Sequence, residues 1–168
     1  GALVARLETS TIVFPDDDEL GQWIRKDNLY GRDICHFILW EREVGFDDGD
    51  QHDPDQQKFD ASHIIPRNLE EDDLRHHDNW SVEDWAARKD TWANLIPLRG
   101  VNPIMARKPW RQVRDLVRQK SNYRTSRDVA LRYKTWTPAD LDRRADELIE
   151  WAVSRWPKPK RIDLEADQ

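Results

Sequence analysis

The sequence predicts an α+β fold, mainly α, in which a small strand–strand–helix (ββα) unit is surrounded by helices. Three observations predict it. Apolar residues recur with a helical period near both ends of the chain, most clearly from Leu141 to Trp156. Two short apolar runs, 59–65 and 94–98, have the character of strands and precede an amphipathic basic segment. The length of 168 residues suits about one domain, ~150 residues being an ordinary size. Only 38% of residues are apolar against 36% charged, but nine Trp, four Phe and three Tyr can fill the centre. Each such ring removes ~150–250 Å² from water.

Taken in order, Asp16 to Asp27 is expected to be helical. Its acidic start, Asp16-Asp17-Asp18-Glu19, suits the positive end of a helix dipole, and Leu20, Trp23 and Ile24 share a face. A second helix is expected from Asp33 to Val44, where Ile34, Phe37, Ile38 and Trp40 are too densely apolar for a surface element. Phe46 to Gln57, rich in Asp and Gly and holding Pro54, reads as a solvated loop. Phe59 to Ile65 reads as a strand that stops at Pro66, which has no N–H to give to a ladder. Asn68 to Trp80 is a polar loop with a helical turn, Val82 to Lys89 a short helix, and Asn94 to Leu98 a second short strand. Pro109 to Lys120 is expected to be helical, with Trp110, Val113, Leu116 and Val117 on one face. Last comes a helix with Thr137 as N-cap, Pro138 at the first helical position, Asp140 completing a capping box, and Pro157 as its stop. The expected organisation is one domain over 1–157, made of a helical lead-in (1–58), a ββα core (59–120) and C-terminal helices (121–157), with a polar tail at 158–168.

Several classes of function are excluded. No run approaches the ~20 apolar residues of a membrane span and no signal segment opens the chain. Cys35 is the only cysteine, which rules out an internal disulfide and a multi-cysteine zinc site and fits a reducing cytoplasm. Because the first residue is Gly and not Met, the sequence is expected to be a fragment of a longer protein.

The net charge of −6 first points away from nucleic acid, but the charge is unevenly placed. Residues 1–98 hold 10 basic and 23 acidic side chains, whereas 99–168 hold 17 and 10. Within 99–134 there are 11 basic residues against Asp115 and Asp128 alone. Such an imbalance exceeds what salt-bridge pairing on a solvated face needs and suggests a phosphate-binding face. Arg107, Lys108, Arg111, Arg114, Arg118, Lys120 and Arg124 are its candidate DNA contacts.

The chemistry centres on three spaced residues: His63 at the end of the first strand, Asn94 at the start of the second, and Asn102 eight positions later. A lone histidine in a strand is commonly a structural hydrogen-bonding group, asparagine commonly caps turns, and Asn102 before Pro103 suits a helix N-cap. The paired His76-His77 has no further Cys or His at zinc-ligand spacing and reads as solvated. The order His63-Ile-Ile-Pro66, Asn94-Leu-Ile-Pro-Leu98, Asn102 nevertheless resembles an HNH, or His-Me finger, nuclease. Further blocks narrow the likeness to the C-terminal nuclease domain of GmrSD-type modification-dependent restriction systems. These are the early helix ending in Glu41, Ala93-Asn94-Leu95, Lys120-x-x-Tyr123-x-x-Ser126, Trp136-Thr137, Arg143 or Arg144 in the last helix, and Trp156-Pro157.

The resemblance implies a Mg²⁺- or Mn²⁺-dependent endonuclease that nicks or cuts double-stranded DNA as the effector of a prokaryotic, cytoplasmic anti-phage system, licensed by an upstream NTPase or modification-sensing domain. It implies His63 as general base, Asn94 as the residue that steadies the loop and the histidine, and Asn102 as a metal ligand. The residue before the base, usually a further ligand, is here Ser62, so Asp60 is the expected substitute provided the strand bends or ends near Ser62. A degenerate fold that binds DNA or a partner without cutting is the alternative.

Overall fold

The computed structural model describes residues 15–46, 58–100 and 107–157. Its described part holds seven α-helices and one two-stranded antiparallel sheet. Helix α1 (Asp17–Lys26) starts at the expected acidic box, in which Asp16 and Glu19 each accept the other's backbone N–H. Helix α2 (Cys35–Val44) buries Cys35, Ile38 and Leu39. Strand β1 (Asp60–His63) pairs with β2 (Leu95–Leu98), with Asp60 opposite Leu98 and His63 opposite Leu95. Between them lie a single turn, α3 (Glu71–Leu74), the short helix α4 (Val82–Arg88), and a 3₁₀ turn over Trp92–Asn94. Helices α5 (Trp110–Lys120), α6 (Arg124–Arg132) and α7 (Pro138–Arg155) follow.

The long last helix has the cap that Thr137 and Asp140 predict, each side chain accepting the other's backbone N–H. Among the described residues no helix is long and apolar enough to cross a membrane. The core is aromatic, as the composition requires. Trp92, Trp110, Trp136 and Tyr133 are its largest fully buried side chains, and the Trp92 ring meets Trp151 and Trp156 at centroid distances of 6.0 and 6.3 Å.

Three departures from the expected elements have physical reasons. Strand β1 ends at His63 because the backbone of Ile64 and Ile65 bonds Asn94 in place of a ladder partner. Helix α6 was not delimited by local pattern because its cap is remote: the Glu43 carboxylate, from α2, accepts the N–H groups of Arg124 (2.6 Å) and Thr125 (2.8 Å). His77 is buried, not solvated, and burial pushes its pKa down, while His76 stays exposed.

Candidate active site

His63 is the last residue of β1, and its ring is held on two sides, with Arg67 behind both partners. Its Nε2 lies 3.0 Å from Oδ1 of Asp90, and both side chains are about nine-tenths buried. The ring of Tyr30 meets it edge-on at 4.4 Å. Arg67, just past Pro66, places its Nε 3.1 Å from the same Asp90 oxygen and its guanidinium 5.0 Å from the Tyr30 ring centre. Asp90 is itself anchored, since its carbonyl accepts the N–H groups of Leu29 and Tyr30.

This arrangement decides the state of the imidazole. A carboxylate only accepts, so Asp90 fixes the hydrogen on Nε2 and leaves Nδ1 as the acceptor in the neutral ring. Among the described residues Nδ1 has no hydrogen-bond partner. Burial pushes the His63 pKa below its ordinary value, while the Asp90 hydrogen bond and charge oppose that fall. His63 is therefore neutral at pH 7, with a proton-accepting nitrogen.

Asn94 lies one residue before β2 and is fully buried. Its Oδ1 accepts from Ile65 N–H (2.9 Å) and the Trp136 indole (3.1 Å), and its Nδ2 donates to the carbonyls of Ile65 (3.0 Å) and Lys89 (2.7 Å). All four amide positions are used. Asn94 fastens the turn after His63 to the segment that ends in Asp90 and ties both to the Trp136 ring. Arg144, 3% exposed, in turn donates to the carbonyls of Ala93 (2.7 Å) and Leu95 (2.8 Å), and its burial lowers its pKa to about 10. Arg143, the other candidate in that block, is exposed and pairs with Asp140.

Two further motif residues clasp the strand pair. The Tyr123 hydroxyl donates to the carbonyl of Lys58, before β1, and the Ser126 hydroxyl to that of Pro97 in β2. Glu41 pairs with Arg155, so the buried acid of α2 is Glu43.

The expected metal ligands do not gather at His63 among the described residues. Asn102 lies outside them. Asp60 is exposed and stands three positions before His63 in an unbroken ladder, so the pleat turns the two side chains to opposite faces. The bend that would have brought it across does not occur, and its charge is felt by the Tyr123 phenol. Ser62 is buried, and its hydroxyl has no hydrogen-bond partner among the described residues. No group of three His, Cys, Asp or Glu side chains able to hold a metal exists among the described residues. These residues by themselves do not fit a cation beside His63.

The expected DNA contacts are surface groups, but not all are unpaired. Arg107, Lys108, Arg118, Lys120 and Arg124 are exposed. On α5, opposite buried Trp110, Val113 and Val117, Arg111 ion-pairs with buried Asp78, and Arg114 with Asp115 at 3.0 Å. Asp115 also lies 3.7 Å from Arg118, and an Arg124 nitrogen donates to the carbonyl of Phe46. The face is basic, with its charge partly neutralised.

Sequence reasoning missed Asp90, Arg67 and Tyr30. Asp90 had one signal, a lone acid immediately before the unbroken buried run Thr91 to Leu98. Arg67 and Tyr30 had none, because they reach the site by tertiary packing.

A two-stranded antiparallel sheet with a histidine–carboxylate pair at its end, packed among helices, is consistent with a ββα-like unit, and the family that this chain matches is one of restriction-system nuclease domains. The family model for the GmrSD restriction endonucleases, C-terminal domain, matches residues 14–151, and the chain belongs to that family. No curated protein and no solved structure matches the chain.

Proposed function

We propose that this chain is an HNH-type, metal-dependent DNA endonuclease module, one domain over 1–157, that nicks or cuts double-stranded DNA in a prokaryotic anti-phage restriction system. An upstream NTPase or modification-sensing domain would license it. The observation that carries the reading is the His63–Asp90 pair at the end of β1. Nδ1 of neutral His63 takes a proton from water as the water oxygen attacks phosphorus and the bond to the leaving oxygen breaks. Asp90 holds the ring and stabilises the imidazolium that forms. Asn94 and Arg144 keep the two segments that carry this pair in register. The family implies Mg²⁺ or Mn²⁺; Asn102 is the candidate ligand, and Asp60, on the other face of β1, would serve only a cation held away from His63.

Arg107, Lys108, Arg118, Lys120 and Arg124 would contact DNA phosphates, together with Arg111 and Arg114 where a phosphate displaces their present acidic partners. Ser62 supports the competing reading, a fold that binds DNA without cutting, because its buried hydroxyl leaves no carboxylate next to the base. One experiment separates the two. Supercoiled plasmid is incubated with the chain and its upstream partner, with Mg²⁺ or with chelator, using His63 and His63→Ala proteins. The nuclease reading expects relaxed or linear plasmid only with metal and only with His63; plasmid that stays supercoiled throughout favours the binding-only fold.

A further inference from the structure

We infer that Arg67 is the phosphate receptor of this site, a positively charged fork that seats the phosphodiester beside His63; this rests on the nuclease reading above. Three observations support it. The Asp90 Oδ1 atom is shared by His63 Nε2 at 3.0 Å and Arg67 Nε at 3.1 Å, so one oxygen sets base and cation side by side. Arg67 makes its closest approach to Asp90 through Nε. Its two terminal nitrogens carry four N–H donors and have no hydrogen-bond partner among the described residues, and the side chain is 49% exposed. The backbone under it is fixed, since Asn94 binds both polar groups of Ile65 and the Trp85 indole donates to the Pro66 carbonyl at 2.9 Å.

A guanidinium held by Nε against a carboxylate and by its face against Tyr30 is pre-organised. The edge it leaves open matches two phosphate oxygens in a bidentate contact, which an ammonium cannot reproduce. The other arginines that pair with acids near the basic face do so through a terminal nitrogen, as Arg111 does with Asp78 and Arg114 with Asp115. Arg67 alone among these three pairs through Nε and keeps its fork for a ligand.

The test uses binding and cleavage in parallel. In the His63→Ala chain, duplex DNA affinity is measured across a salt series with and without Arg67→Gln; with His63 intact, plasmid cleavage is measured for Arg67→Gln and Arg67→Lys. The expected results are weaker binding with a salt slope smaller by about one for Arg67→Gln, and a roughly 100-fold loss of cleavage. Arg67→Lys should keep the slope and recover only part of the rate, and the melting temperatures should match that of the parent. An unchanged slope and rate for Arg67→Gln, in a chain that cuts through His63, overturns the inference and leaves the nuclease reading standing. A lost slope in a chain that never cuts supports the phosphate contact and overturns the nuclease reading instead. A marked fall in melting temperature, or no DNA binding by any protein, overturns the inference.

Discussion

Arg144 holds Asn94 by the carbonyls on either side of it, those of Ala93 and Leu95. The guanidinium comes from α7 and the amide it frames lies before β2, some fifty residues earlier in the chain. Their joint effect is to make the turn after His63 a fixed structure, with its backbone groups satisfied by a side chain in place of a strand.

Replacing Arg144 by Met keeps much of the volume but leaves two buried carbonyls without donors. Each such orphan costs about 1–3 kcal/mol, so a loss of about 2–5 kcal/mol is expected in urea unfolding. Arg144→Lys should fall between Met and the parent, since one ammonium cannot reach both carbonyls with fork geometry.

Asn94→Ala removes four hydrogen bonds at a fully buried position. A loss of about 3 kcal/mol or more is expected. Cleavage measured well below the lowered melting temperature should still fall, because the His63 turn is no longer tied to the Asp90 segment. Wild-type rates in the folded variant would show that Asn94 has no part in positioning the base.

The state of His63 predicts the acid limb of the pH–rate profile. Its pKa lies below the ordinary value of ~6.5, so the neutral base predominates at pH 7 and cleavage should fall as pH drops below that value. Asp90→Asn removes the two contributions that raise this pKa, so the limb should move to still lower pH while the plateau drops by roughly 100-fold as orientation is lost. A limb that moved upward would contradict the assignment of Asp90 as partner of the base.

Buried neutral histidines also make folding sensitive to acid. His63 and His77 both have lowered pKa values in the folded chain, so below ~6.5 the unfolded chain binds protons that the folded one refuses. Stability should therefore be complete above pH 7 and decline as pH falls from ~6.5 toward the folded values. Thermal melts between pH 7.5 and pH 5 check this, each value being about one unit or more to either side of that onset. His77→Gln should give a shallower decline.

Glu43→Gln should cost about 1 kcal/mol, the usual worth of a helix cap, because the amide can accept only one of the two N–H groups that the carboxylate holds. The loss should fall on α6 first, read as faster amide exchange over 124–127. Glu41→Gln, which touches only the exposed Arg155 pair, should change stability by less than about 0.5 kcal/mol.

Legibility followed the range of the interactions. Helices α1 and α7 were readable because their capping boxes lie within four residues of their first turns. The strand pair was readable from two apolar runs and Pro66, and the roles suggested for His63 and Asn94 came from the resemblance to HNH nucleases that their order carries. What stayed hidden was set at long range: the cap of α6 comes from Glu43, 81 residues before Arg124, and Asp90 reaches His63 across 27 residues. The face that Asp60 takes is a related case. Alternation assigns faces only once it is known whether a strand bends, and the ladder with β2 keeps β1 straight. The basic segment was legible as charge, but not as pairing, because Asp78 meets Arg111 only in the fold.

The short bridge between Asn28 and Thr91, with the Asp90 carbonyl gripping Leu29 and Tyr30, bears on how this domain could be cut apart or transplanted. A fragment limited to 59–120 would carry His63, Arg67, Asp90 and Asn94, yet lack the Tyr30 wall, the Trp136 indole and the Arg144 fork that immobilise them. Grafting that fragment onto another targeting protein would transfer the reactive groups without their scaffold. A graft that keeps these contacts would have to run at least from Asn28 through α7.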